Sequence, residues 1–115
     1  MTTEDFRRIA LGLSEAVEQG HMGHPDFRVG GKVFATLGYP DAAWGMIKLA
    51  REQQEVMVAA EPEVFRPVKG GWGAKGATNV RLEAADEATL VSALTAAWLN
   101  TAPQTLVKAF KGAAT

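Results

Sequence analysis

Asp26-Phe27-Arg28-Val29-Gly30-Gly31-Lys32-Val33-Phe34-Ala35-Thr36-Leu37 holds two runs rich in valine and phenylalanine, divided by a Gly-Gly pair. That pair admits the positive φ angles a tight turn demands, so the stretch reads as a β-hairpin. Its register depends on loop length. A two-residue loop pairs Phe27 with Phe34, whereas a three-residue loop puts Phe27, Val29, Val33, Ala35 and Leu37 on one face. The second is expected, because it collects the apolar residues.

Upstream, Thr2 and Thr3 are candidate N-caps, Glu4 and Asp5 suit the positive end of a helix dipole, and Phe6, Ile9, Ala10 and Leu13 recur at helical spacing. An opening amphipathic helix is predicted. Glu18 to Pro25 carries two glycines and a proline without periodicity and reads as a connecting loop. Downstream, Trp44 to Leu49 reads as a third strand, and Arg51 to Ala60 as a helix stopped by Pro62. Val64 to Val68 and Thr78 to Glu83 read as a second hairpin, with the four glycines of Lys69 to Gly76 forming a mobile tip around Trp72. Asp86 caps a helix whose stripe is Leu90, Val91, Leu94, Ala97 and Trp98, and Pro103 starts a final helix bearing Leu106, Val107 and Phe110. The fold class that follows is α+β, an antiparallel β-sheet with N-terminal and C-terminal helices packed on one face. At 115 residues, 47% of them hydrophobic, the chain suits a single domain, placed at residues 1–111 with 112–115 as a flexible tail.

The chain has no cysteine, which removes disulfides, thiolate metal sites and a cysteine nucleophile, and suits a reducing compartment. Met1 to Asp5 lacks the basic-then-apolar order of a signal peptide, and no apolar run reaches the roughly 20 residues of a membrane span. The expected location is the cytoplasm, with no membrane contact. Twelve basic against thirteen acidic residues give a net charge of -1, so any grip on a polyanion has to come from a local patch.

Gly23-His24-Pro25-Asp26-Phe27 through Ala35 resembles the signature hairpin of the MmcQ/YjbR family, matched at Pro25, Phe27, Val29, Gly31, Lys32, Phe34 and Ala35. Glu61-Pro62 followed by Phe65, Gly71 to Gly73 around Trp72, Ala97-Trp98 and Ala102-Pro103 are similar to its second half. The resemblance implies a fold like that of the frataxin homologue CyaY, and DNA binding by a double-wing arrangement of hairpins. It implies no known reaction, and no cofactor is expected.

The chemistry-bearing residues each also admit a plainer role. His21 and His24, with Glu18 and Asp26 nearby, offer nitrogen and oxygen ligands, yet loop spacing alone does not build a metal site, and exposed histidines are the expectation. The glycine-rich stretch lacks the Gly-Lys-Ser/Thr ending of a P-loop. Ser14 and Ser92 lie in no nucleophile-elbow sequence, so no enzyme is expected. Arg28, Lys32, Arg66, Lys69, Lys75 and Arg81 all fall on the two hairpins, with Trp72 among the last four. Cations around an aromatic platform suit nucleic acid, although edge strands also carry such charges to discourage pairing. The sequence therefore predicts a monomeric, non-enzymatic DNA-binding domain. A protein-interaction or small-ligand module using the sheet face and Trp72 is the alternative.

Overall fold

In the computed structural model, residues 1–21 and 24–114 are described. Helix α1 (Thr3–Leu11) opens on a capping box: Thr2 Oγ1 accepts from the Asp5 amide at 3.1 Å, and the Asp5 carboxylate accepts from the Thr2 amide at 2.8 Å. Its Phe6, Ile9 and Ala10 are buried, as the helical spacing predicts. Four strands follow, β1 (Val17–His21), β2 (His24–Val29), β3 (Lys32–Leu37) and β4 (Trp44–Lys48). Next come α2 (Arg51–Ala60), β5 (Phe65–Pro67), the single turn α3 (Gly71–Ala74) and β6 (Ala77–Arg81). Helices α4 (Glu87–Thr101) and α5 (Gln104–Ala114) close the chain. The architecture is α+β, a six-stranded antiparallel sheet in the order β1-β2-β3-β4-β6-β5.

The expected loop over Glu18–Pro25 is instead occupied largely by strand. β1 pairs with β2 from Val17↔Arg28 to His21↔His24, with Gly20 at φ 115° opposite Pro25. The turn between β2 and β3 is also shorter than expected. Val29 faces Lys32 across a two-residue loop, with Gly30 and Gly31 both at positive φ, the pattern of a type I′ turn. A β-bulge then reconciles that short loop with the apolar pattern. Arg28 faces Val33 but Phe27 faces Ala35, leaving Phe34 as the extra residue. Phe34 and Ala35 are consequently both buried, and Val33 leaves the expected apolar row for the opposite face.

Cross-strand partners share a face of the sheet, so the ladder divides the side chains. One face carries Phe27, Val29, Ala35, Ile47, Val80 and Phe65, all buried. Helices α1 and α4 cover it, and Phe6, Leu90, Leu94 and Trp98 complete the core. On α4 the buried arc is Leu90, Ala93, Leu94, Ala97 and Trp98, while Val91, at the rim of that arc, is exposed. The α4–α5 connection reaches the hairpin turn, where a Cβ on Gly30 would lie 2.7 Å from the Pro103 ring.

Asp86 caps α4, its carboxylate accepting from the Thr89 amide at 2.8 Å. Backbone hydrogen bonds hold both capping carboxyls below the ordinary aspartate range, from Thr2 for Asp5 and from Thr89 for Asp86. A lowered folded-state pKa contributes stability that is present above the unfolded value and lost as pH falls through the folded one. Thermal midpoints are therefore expected to decline on acidification between about pH 5 and pH 2. Asp86→Asn keeps a capping oxygen and should remove part of that dependence; an unchanged pH profile in this variant would contradict the capping account.

Candidate functional site

The sheet face away from the helices is formed by the other half of the ladder. Gln19, Asp26, Thr36, Met46, Asn79 and Arg66 make one continuous row across the strands. Trp44 opposite Arg81, and Lys48 opposite Ala77, make the flanking rows. Along β4 the alternation is complete: Gly45 and Ile47 are buried in the core, while Trp44, Met46 and Lys48 lie on the open face.

One cation–aromatic pair sits on this face, and a second lies at the end of β4, where the sheet meets α4. The Arg66 guanidinium lies 5.2 Å from the centroid of the Trp44 ring, and Lys48 Nζ lies 5.7 Å from that of Trp72. Trp72 is 66% exposed, unusual for so large an apolar side chain. It borders an open cleft of about 480 Å³ with Lys48, Lys75, Ala77 and Asn100.

The glycine-rich segment that holds Trp72 is folded in place, in contrast to the expected mobile tip. Gln54, buried on α2, donates through its amide to the carbonyls of Gly73 and Ala77, each at 3.0 Å. A Cβ on Gly73 would collide with the Val68 carbonyl, so the turn packs directly on backbone. Asn100, on α4, donates to the Lys48 carbonyl at 3.3 Å and to Gln53 Oε1 at 2.7 Å, and so ties the end of β4 to both helices.

The seven basic and aromatic residues singled out from the sequence are separated by this geometry. Arg66 and Arg81 flank Trp44 on the open face. Trp72 and Lys75 share the cleft, and Lys69 is exposed just ahead of α3. Arg28 lies on the same face, but its guanidinium meets the Asp26 carboxylate at 2.9 and 3.1 Å, a two-pronged ion pair that cancels its charge locally. Lys32 pairs with the core residue Val29, which directs it to the helix-bearing side. Arg81 meets Glu83 at 2.6 Å, an exposed pair of little energetic weight.

Lys48 and Trp44 were absent from the sequence-derived set, although the period-2 pattern of Trp44-Gly45-Met46-Ile47-Lys48 already places them on one face. His24 stacks on Tyr39 with ring centroids 4.1 Å apart. The His21 side chain lies outside the described residues. Of the neighbouring carboxylates, Glu18 is engaged by Arg7 at 2.8 Å and Asp26 by Arg28. Among the described residues no group of three or more His, Cys, Asp or Glu side chains is placed to hold a metal ion, and no helix is long and apolar enough to cross a membrane.

An antiparallel sheet with one face covered by helices and the other left open, carrying the Trp44–Arg66 pair, defines the class: an open-faced α+β domain. The YjbR family model matches residues 11–100, and the chain belongs to that family. Among solved structures, the Deinococcus radiodurans protein DR2400, which carries a DUF419 domain, is similar. The TM-score is 0.71 at 19% identity, covering 86% of this chain and 77% of that one, a likeness of fold. No curated protein sequence matches the chain.

Proposed function

We propose that this YjbR-family domain binds DNA, as a cytoplasmic monomer and without catalysis, through the open face of its sheet. The observation that carries the reading is the line of Trp44, Met46 and Lys48 along β4, with Arg66, Arg81 and Lys75 beside the two indoles. Exposed cations beside aromatic rings supply phosphate contact and base contact together. They do so on a protein whose net charge is -1, so the attraction has to come from a local patch such as this one.

Fluorescence anisotropy with labelled DNA across a salt series tests the reading. Affinity should fall linearly on logarithmic axes, and replacing Arg66 and Lys75 by glutamine should weaken all sequences alike while flattening the slope by about two. Lys32→Ala, on the helix-bearing side, should change little. Binding that ignores salt would point to a neutral ligand or a protein partner, and no binding at low salt would end the proposal.

A further inference from the structure

The same face bears on the kind of nucleic acid, an inference that rests on the reading above. We infer that the strand it takes up is single, with one base stacked on Trp72 beside Lys48 and Lys75 and another on the platform of Trp44 and Arg66. In a duplex the face of each base is covered by its neighbours, so an exposed indole such as Trp72 meets only edges and sugars; in a single strand those faces are free to stack.

Trp72 is suited to stacking because its side chain is exposed and the backbone that carries it is held. The α3 turn that presents it is held by the Gln54 amide and by direct packing of Gly73 on the Val68 carbonyl. A rigid aromatic platform loses little conformational entropy on binding. Trp44 lies on the same open row of β4 as Lys48, the cation over Trp72, and the four-residue separation of Trp44 and Lys48 corresponds to about 13 Å along the strand. Trp44 thus stands at one end of β4 and Trp72 by the Lys48 side chain at the other, each with a basic side chain at hand for the intervening phosphates.

The β2–β3 and β5–β6 hairpins, by contrast, do not project as a pair of wings for a groove. The β2–β3 turn lies against Pro103, with Lys32 directed to the helix side, and the β5–β6 connection is folded down as α3. Arg28, the remaining cation of the first hairpin, is neutralised by Asp26.

The experiment measures the full-length chain against a labelled mixed-sequence single strand and against the same sequence annealed to its complement, at low and moderate salt. The single strand is expected to bind at least tenfold more tightly and to quench tryptophan fluorescence. Trp72→Ala should weaken single-strand binding roughly 5- to 100-fold and leave duplex binding unchanged. Because Trp72 is exposed, its removal should leave the thermal midpoint in place, and Lys75→Gln should reduce the salt slope without abolishing quenching. Equal or tighter duplex binding with no effect of Trp72→Ala would overturn the single-strand inference and leave DNA binding standing. Absence of salt-dependent binding to either form would overturn both.

Discussion

Replacement of Trp98 by alanine is expected to destabilise the domain by roughly 3–5 kcal/mol. The indole is fully buried, its Nε1 donates to the Ser14 carbonyl at 3.0 Å, and its ring is tilted against Phe110 at 5.5 Å. One side chain thus joins α4 to the exit of α1 and to α5, and its loss opens a cavity where three segments meet. Against a typical total of about 5–15 kcal/mol, the change removes a large share of stability. Thermal and urea denaturation should agree on its size, with the midpoint falling by roughly 15 °C or more. Hydrogen exchange should rise first in α5, which depends on Trp98 through Phe110. Trp98→Phe keeps much of the volume and loses the donor, leaving the Ser14 carbonyl short of a partner, for about 1–3 kcal/mol. A loss below about 1 kcal/mol for Trp98→Ala would show that the core does not close around this residue.

The second large effect is expected from Gly76→Ala. Gly76 has φ 115°, and a Cβ there would collide with the Leu49 carbonyl oxygen. Backbone strain of about 1–3 kcal/mol and overpacking of a similar size act together, for roughly 2–6 kcal/mol in all. Gly31 supplies the control. It also has positive φ, 80°, but an added Cβ would meet nothing within 4 Å, so Gly31→Ala carries only the conformational term of about 1–2 kcal/mol. The two variants should differ in function as well. Displacing Gly76 shifts the α3 turn and the cleft around Trp72, so Gly76→Ala should weaken nucleic-acid binding at temperatures where it is still folded. Gly31→Ala should bind as the parent does; equal losses of affinity in both would argue that Trp72 is not the contact.

The elements legible in the sequence are those in which local signals agree. The Gly30-Gly31 hairpin, the Asp86-capped helix and the alternating β4 each combine propensity, periodicity and punctuation. β1 was hidden because an edge strand has little core to face: Val17 is 49% exposed and Gly20 breaks the pattern, so pairing with β2 alone makes it a strand. The bulge at Phe34 was hidden for a different reason. Choosing a three-residue loop and inserting a bulge after a two-residue loop both turn Ala35 and Leu37 inward, and only Val33 and Phe34 distinguish them. At the candidate site, charge type was readable and direction was not. Arg28 and Lys32 read as equivalent hairpin cations, yet the two-residue loop sends them to opposite faces, and Asp26, two positions before Arg28 on the same face, takes up its charge. The glycines of the α3 segment read as freedom in the sequence, where the structure uses two of them for close approach of backbone to backbone.

The alternation along β4 has a consequence for how sequences of this fold can diverge. Gly45 and Ile47 belong to the core, and Trp44, Met46 and Lys48 to the open surface, so neighbouring positions of one strand answer to different selective demands. Exchanges at the outward three leave the packed side untouched and carry little thermodynamic penalty. Ligand preference can therefore drift, sharpen or be lost in single steps while the scaffold stays the same, and relatives with closely similar backbones are free to recognise different targets.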